Sequence, residues 1–256
     1  MEISVKYLQK NPFYHFSVDD VFDSLIEITD KKMNVFRHPF FSFLKGLHDE
    51  FGTNVDLYLF FQKIIDGKLR TLKDVSSSLK STFEANPWIR FGPHALDYET
   101  PPYTQTPDEQ IEVFNKTYNE IYRFSGEKNL SKWVRLHYFS ESYELADYFH
   151  FKGIESLFTT DKDRITTRMP EINDILMSRG FTDYNGLRFI RSHVRAENLG
   201  NEDISTEELK KLIESYIEEH RFISFFTHEY EILREDVRSI TKDAISHLHA
   251  MKIPSY

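Results

Sequence analysis

The sequence predicts an α/β fold, an irregular (β/α) barrel of about seven strand-helix units. Short apolar runs alternate along the chain with longer segments of helical period, which is typical of strands and helices that build a parallel sheet. The first run meets its helix without a glycine-rich phosphate loop, which disfavours an open nucleotide-binding sheet. Barrels of this kind reach 256 residues as one unit, so residues 1–256 are expected to form a single domain.

Seven apolar runs are the predicted strands. In chain order they are Phe13–Val18, Val55–Phe61, Trp88–Phe91, Trp133–Phe139, Ile154–Phe158, Leu187–Val194 and Phe222–Thr227. The seventh run is almost wholly apolar, which is expected of a strand that is covered on both sides.

Helix signals fill the segments between these runs. Two capping boxes, Thr106–Glu109 and Ser205–Glu208, predict helix starts, and Pro107 suits the first turn of the earlier helix. Ser140 is placed to cap a helix after the fourth run. The other predicted helices are Val21–Ile28, Pro39–Phe51, about Glu171–Ser178 and about Ile232–Met251.

The composition limits the classes of molecule and ion that this protein is expected to bind. The 23 Phe and 14 Tyr side chains can fill a core or stack on sugar rings. A net charge of −9 and an isoelectric point near 5.7 argue against nucleic acid or an anionic membrane surface as the main partner. The chain has no cysteine, so a bound metal ion would need His, Asp, Glu, Tyr or water as ligands.

The N-terminal segment predicts neither export nor membrane insertion. The stretch MEISVKYLQKNPFYHF lacks the uninterrupted apolar segment of a secretory signal. No part of the sequence approaches the roughly 18 apolar residues of a membrane span. The chain as given is therefore expected to be a soluble, cytoplasmic protein.

Polar side chains recur where the predicted strands end. In (β/α) barrels the loops after the carboxyl ends of the strands converge on one mouth, and the chemistry takes place there. The joint placement of such residues, drawn from distant parts of the chain, indicates a site at this mouth. After or at the ends of runs these are Asp19, Asp20, His94, Asp161 and His228; Arg135 and His137 lie within the fourth run, and Arg191 and His193 within the sixth.

Each of these residues also has an ordinary structural explanation. Asp19 and Asp20 could cap the following helix, although two carboxylates that share one mouth need a cation or a raised pKa to relieve their repulsion. A lone His94 would be a surface or core residue, whereas beside an aspartate it suits zinc and similar ions. His228 could simply begin a helix, or it could donate and accept a proton near neutral pH.

These residues resemble the motifs of the polysaccharide deacetylases with a NodB-homology domain, whose fold is an irregular barrel of about seven strand-helix units. The resemblance extends over most of the chain. Ser17-Val18-Asp19-Asp20 is similar to the first motif, His94 to the first histidine of the second, Arg135 to the arginine of the fourth strand, and Thr227-His228 to the last motif. Asp161 is loosely similar to an acidic motif after the fifth strand.

The resemblance implies three catalytic residues. Asp19 would act as the base, Arg135 would orient it, and His228 would protonate the leaving amine. The reaction would be hydrolysis of an N-acetyl or related acyl group on a carbohydrate, assisted by one divalent metal ion, with zinc expected.

The same resemblance implies Asp20 and His94 as metal ligands. The family's second metal-binding histidine corresponds to Tyr98 in this sequence. The third ligand is therefore open among Asp97, His137, Tyr98 and water, and Asp97 is the expected choice.

Two other functions fit the sequence. A barrel relative could bind carbohydrate or a partner protein without hydrolysis, a reading that Tyr98 favours. A glycoside hydrolase would need two separated carboxylates. Asp19 and Asp20 are adjacent, so Glu99 or Glu229 would have to supply the distant one.

Overall fold

A computed structural model describes residues 11–140, 143–160 and 173–256. Its strands are β1 (Phe13–Val21), β2 (Val55–Phe60), β3 (Gln62–Ile65), β4 (Lys68–Thr71), β5 (Ile89–Ala95), β6 (Trp133–Arg135), β7 (Ser156–Thr159), β8 (Phe181–Tyr184), β9 (Leu187–Arg191), β10 (Val194–Arg195) and β11 (Phe222–His228). Its helices are α1 (Asp23–Asp30), α2 (Pro39–Phe51), α3 (Lys80–Glu84), α4 (Pro107–Ser125), α5 (Ala146–Phe151), α6 (Asn173–Arg179), α7 (Ala196–Asn201), α8 (Thr206–His220) and α9 (Glu235–Ala250).

The strands form two main sheets and one hairpin. The first sheet is parallel throughout, in the order β10-β11-β1-β2-β5. The second has the order β6-β7-β9-β8, with only β8 antiparallel to its neighbour. The Ser131 amide donates to the Phe91 carbonyl at 2.8 Å, so the segment before β6 continues from β5. The predicted α/β fold with an irregular barrel is confirmed, and each of the seven apolar runs contributes a parallel strand.

Local signals placed the longer helices correctly. Both capping boxes form: the Thr106 and Ser205 side chains accept from the Glu109 and Glu208 amides, and the glutamates accept in return. Helix α2 has Pro39 in its first turn and ends at Gly52, whose φ of 69° is a left-handed conformation that glycine adopts without strain. The helices carry their apolar faces inward, onto strands such as β2, of which every residue is buried.

Two apolar runs are interrupted where a single strand was predicted. The fourth run ends as a strand at Arg135, and His137–Phe139 forms a 3-10 turn in which Tyr138 has a φ of 53°. Ser140 does not cap a helix, because its hydroxyl donates to the His137 carbonyl at 2.5 Å and α5 begins only at Ala146. The sixth run is divided into β9 and β10.

Two predictions fall partly outside the described residues. Asp161 lies outside them, and of the helix predicted near Glu171 only the part from Asn173 onward is described. None of the helices in the described ranges combines the length and the apolar character that crossing a bilayer requires.

Candidate metal centre

Asp20 lies in an irregular part of β1. The pairing of β1 with β2 shifts register between Val18 and Val21, and Asp20 has a φ of 60°. A left-handed backbone is uncommon for any residue other than glycine, although aspartate and asparagine adopt it more readily than most, and it often marks a functional site. The bulge carries the carboxylate of a strand residue to the barrel mouth, where its side chain is buried.

His94 lies near the end of β5 and presents one nitrogen to Asp20. Its Nδ1 is 2.7 Å from the Arg135 carbonyl oxygen. Because a carbonyl can only accept, Nδ1 carries the hydrogen and Nε2 of the neutral ring keeps its lone pair. The ring packs between Tyr58 and Phe60, at centroid distances of 6.4 and 5.4 Å, which restricts its orientation.

His137 begins the 3-10 turn after β6. Like His94, it donates a hydrogen bond to a backbone carbonyl, but the roles of Nδ1 and Nε2 are exchanged. Its Nε2 is 3.2 Å from the Tyr98 carbonyl oxygen, so Nε2 donates and Nδ1 keeps the lone pair. Burial lowers the pKa of His137, although Asp20 acts in the opposite direction, and the neutral ring is the form that binds metal. Phe60 packs edge-on against this ring as well, at 5.0 Å.

The three ligand atoms form a nearly equilateral triangle. Asp20 Oδ1 is 3.1 Å from His94 Nε2 and 3.4 Å from His137 Nδ1, and the two nitrogens are 3.3 Å apart. In a tetrahedral zinc site with bonds of 2.0–2.1 Å, neighbouring ligand atoms are about 3.3 Å apart. The triangle therefore has the size of one face of such a tetrahedron.

The lone pairs and negative charge of these three atoms also favour a bound cation. Two nitrogen lone pairs and a carboxylate oxygen face one another, and Asp20 Oδ1 is buried without a hydrogen bond of acceptable geometry. Burial alone would raise the pKa of Asp20, but the neighbouring His137 and His94 lower it well below its usual range, so the carboxylate stays charged. Asp20, His94 and His137 thus fit a divalent ion. Among the described residues, this is the group of His, Asp and Glu side chains whose ligand atoms lie close enough together to hold one.

The structure places Asp97 outside this group. Its Oδ2 accepts a hydrogen bond from Gln62 Nε2 at 2.8 Å, and its carboxylate is not among the three converging ligands. His137 completes the group of converging ligand atoms, where Asp97 was expected. Tyr98 contributes its carbonyl to His137 and leaves its side chain 51% exposed.

Asp19 and Arg135 form a buried pair beside the triangle. Arg135 Nη1 is 3.1 Å from Asp19 Oδ1 and 2.7 Å from the Ser17 hydroxyl, and both charged side chains are almost fully buried. The guanidinium also donates to Ser224 on β11 and stacks over the Phe226 ring at 3.9 Å. Arg135 therefore holds Asp19 from a fixed position in the barrel interior.

His228 ends β11 and is paired with Glu197, which was not among the predicted site residues. Its Nδ1 is 2.5 Å from Glu197 Oε1, in the first turn of α7. Burial alone would lower the pKa of His228, but the hydrogen bond and charge of Glu197, helped by Asp19 and Asp20, raise it above its usual value. Glu197 is the second residue after the short β10, so it occupies a strand-end position like those of Asp20 and His228.

Glu229 has a structural role at the same mouth. Its carboxylate accepts three backbone hydrogen bonds, from Phe22, Asp23 and Ser24, at 2.8–2.9 Å. Its own amide donates to the Asp19 carbonyl at 3.0 Å. Glu229 thus caps α1 in place of Asp19 or Asp20, and it fixes the backbone of the bulge.

One cavity of about 260 Å³ joins these groups. It is lined by Asp19, Asp20, His94, Tyr98, Arg135, Leu136, His137, Tyr138, Phe139, Arg195, Glu197, Phe226, His228 and Tyr230. Of the residues expected at the mouth, Asp19, Asp20, His94, Arg135, His137 and His228 are therefore brought together, and Glu197 is an addition. Asp97, Arg191 and His193 are not in the lining. Glu99 and Glu229, the distant carboxylates that a glycoside hydrolase would need, are not in the lining.

No profile of a known protein family and no curated protein matches the sequence. Solved structures do match the fold. A putative polysaccharide deacetylase from Mycobacterium smegmatis aligns with 96% of this chain and 87% of its own, at a TM-score of 0.55 and 12% identity. Puue allantoinase aligns with 95% of this chain and 85% of its own, at a TM-score of 0.53 and 9% identity.

A third similar structure is larger. The 4-alpha-glucanotransferase from Thermococcus litoralis matches 96% of this chain at a TM-score of 0.58 and 11% identity, and this chain spans 39% of it. At such low identities the likeness concerns the fold alone. The chain has a fold like that of the polysaccharide deacetylases.

Proposed function

We propose that this protein is a metal-dependent hydrolase that removes N-acetyl or related acyl groups from a carbohydrate. One observation carries the proposal: the Asp20–His94–His137 triangle, the Asp19–Arg135 pair and the His228–Glu197 pair all face the same cavity. Metal ligands, a base and an acid around one space are the parts that metal-assisted amide hydrolysis requires. The deacetylase-like fold supports the same reading.

The triangle would hold one divalent ion, with zinc favoured by the two imidazoles and the ligand spacing. When bound, the ion supplies polarisation of the acyl carbonyl and a lowered pKa for water at the site. The carbonyls of Arg135 and Tyr98 orient the two imidazole ligands by accepting their second N–H groups.

Asp19 is the proposed base. Arg135 occupies one side of its carboxylate and keeps it in place, and Asp19 lines the cavity where the attacking water would lie. A carboxylate positioned in this way takes the proton of the water as the carbon–oxygen bond forms.

His228 is the proposed acid. The Glu197 carboxylate binds Nδ1, which leaves Nε2 as the nitrogen that can deliver a proton to the departing amine. The raised pKa of His228 favours the protonated ring that this role needs. Hydrolysis then ends with a free amine on the sugar and a released carboxylate.

Acetate release from N-acetylated oligosaccharides, measured with and without added zinc, tests the proposal. We expect release by the zinc-loaded chain, none after chelation, and a loss of about 10²–10⁴-fold for Asp19→Asn, which keeps the metal ligands. Asp97→Asn is the matched control, because the same change in a neighbouring loop leaves the triangle intact, and its rate should equal that of the unmodified chain.

The outcome also decides between hydrolysis and binding. A chain that binds zinc and the oligosaccharide but releases no acetate supports the carbohydrate-binding alternative and contradicts the hydrolase. An equal loss in Asp19→Asn and Asp97→Asn contradicts the role given to Asp19.

A further inference from the structure

We infer that three buried serines are positioning residues for the proposed reaction, because they orient the Arg135 guanidinium so that it contacts Asp19 through one hydrogen bond. The residues are Ser17, Ser192 and Ser224, here called the serine socket. The inference rests on the proposed function for the role of Asp19 as the base, and it adds residues that are not in the cavity lining.

The serine socket surrounds the guanidinium from three parts of the barrel. Ser17 lies in β1, Ser224 in β11 and Ser192 between β9 and β10, and all three side chains are fully buried. Arg135 Nη1 donates to the Ser17 hydroxyl at 2.7 Å. Nε donates to Ser192 at 3.3 Å, and Nη2 donates to Ser224 at 3.2 Å. Each nitrogen of the guanidinium is therefore held by one serine.

The serines satisfy the guanidinium without adding a second negative charge. An unpaired N–H group of a buried cation is costly, so a buried arginine needs acceptors for several of its donors. Carboxylates in these places would compete with Asp19 for the cation, whereas hydroxyls carry no charge. Among the described residues, Asp19 is the carboxylate that pairs with Arg135, at 3.1 Å from Nη1. The charge of Arg135 is therefore directed at Asp19.

The same hydrogen bonds keep the pairing with Asp19 single. An arginine beside a carboxylate commonly pairs through two parallel N–H groups, one to each oxygen. Here Nε and Nη2 are held by Ser192 and Ser224, and Nη1 donates to Oδ1 of Asp19. Oδ2 of Asp19 makes no hydrogen bond with Arg135, so this oxygen is left to take the proton of the attacking water.

The serines of the socket are themselves held in place. The Ser192 hydroxyl donates to the Thr159 carbonyl at the end of β7, at 2.7 Å. The Ser224 amide donates to His193 Nδ1 at 3.1 Å. The guanidinium also packs on the Phe158 ring, with 4.5 Å between its Cζ and the ring centroid. Contacts from several strands thus fix both the acceptors and the plane of the guanidinium.

Steady-state kinetics of Ser224→Ala in the zinc-loaded full chain test the inference, with acetate release from an N-acetylglucosamine hexasaccharide as the assay. Without this hydroxyl, Nη2 can turn toward Asp19 and pair with its second oxygen. We expect kcat to fall about 10- to 100-fold. KM and zinc affinity should stay within about twofold, because Ser224 lies outside the cavity lining and the ligand triangle. Ser224→Thr, which keeps the hydroxyl, should recover most of kcat.

Ser156→Ala is the matched control. Ser156 is also buried, in β7, and it makes no hydrogen bond with Arg135, so its replacement should leave kcat unchanged. Equal losses of kcat in Ser224→Ala and Ser156→Ala would overturn the inference. A fall in zinc affinity that matches the fall in kcat would overturn it as well, because the serine would then act through the metal centre.

Crystal structures of the unmodified chain and of Ser224→Ala separate this inference from the proposed function. We expect one hydrogen bond between Arg135 and Asp19 in the unmodified chain and two in the variant. A guanidinium that keeps its orientation in the variant would overturn the inference. If the unmodified chain releases no acetate while the guanidinium turns in the variant, the proposed hydrolysis fails and the orienting role of the serines stands.

Discussion

At the scale of single residues, the metal centre depends on which ring nitrogen of each histidine carries a hydrogen. His94 donates through Nδ1 and His137 through Nε2, each to a backbone carbonyl. The other two nitrogens, His94 Nε2 and His137 Nδ1, are 3.3 Å apart, and Asp20 Oδ1 lies beside both. Without a positive charge among them these atoms repel, so the backbone carbonyls preset the site for a cation.

His137→Ala should weaken zinc binding more than Asp97→Asn. Removal of a ligand leaves two of the three atoms of the triangle, and we expect a loss of roughly a hundredfold or more in zinc affinity. Asp97→Asn should bind zinc like the unmodified chain, because Asp97 contacts Gln62 and not the triangle. Competition titration with a zinc-binding dye measures both. The reverse order of effects would restore Asp97 as the third ligand.

At the scale of helices and strands, a site residue could be predicted where the end of its strand could be predicted. The sequence places Asp19, Asp20, His94 and His228 at strand ends and Arg135 within the fourth run, and the structure gathers all five around one cavity. The pattern predicts a strand that continues through His137, because Val134–Phe139 is apolar enough to form one. The strand stops at Arg135, and the left-handed turn that follows, in a segment without glycine, has no signature in the residues themselves.

Long-range contacts account for the other omissions. Glu229 caps α1 across more than 200 residues of chain, and Glu197 meets His228 from a helix of six residues. Neither pairing follows from local periodicity or capping rules, because each depends on where the barrel places two distant segments. The capping boxes of α4 and α8, which are local, were predicted fully.

Glu229→Ala should destabilise the junction of β11, β1 and α1. Three amides at the start of α1 lose their acceptor, and we expect the free energy of unfolding to fall by about 3 kcal/mol. Zinc affinity should fall too, because the Asp19–Asp20 bulge loses its fixed position. Urea unfolding and zinc titration measure the two effects. Glu231→Ala is the control, since its surface pair with Arg234 contributes about 0–1 kcal/mol. Equal losses in both variants would contradict the capping role.

At the scale of the whole molecule, seven apolar runs were enough to predict the barrel. Each became a parallel strand, because runs that alternate with amphipathic helices are buried on both faces in parallel α/β folds. The absence of a glycine-rich phosphate loop after the first run favoured the barrel over an open sheet. The division into two sheets, between β5 and β6, could not be predicted. Periodicity reports which residues are buried and leaves the hydrogen bonding between strands unspecified.

The stability of the whole molecule should fall below pH 6.5 through His193. This histidine lies between β9 and β10 and accepts a hydrogen bond from the Ser224 amide of β11 through Nδ1, at 3.1 Å. Burial, with the charges of His220 and Arg191, lowers its pKa well below 6.5. In acid the unfolded chain therefore binds a proton that the folded chain does not, and the folded state loses stability as the pH falls below 6.5.

Urea unfolding at pH 7.5 and pH 5.5 measures this effect. His193 should contribute a loss of about 1.4 kcal/mol over that interval. His193→Asn keeps an acceptor for the Ser224 amide without the titration, so its loss should be smaller by that amount. Identical pH dependence in the two proteins would show that His193 is not the group responsible.

The central claim is that Asp20, His94 and His137 hold one metal ion. A crystal grown with zinc, with data collected on both sides of the zinc absorption edge, tests it most directly. We predict one anomalous peak at the barrel mouth, about 2.0–2.2 Å from Asp20 Oδ1, His94 Nε2 and His137 Nδ1. A mouth without a peak, or a peak bound by Asp97 with His137 turned away, would contradict the account.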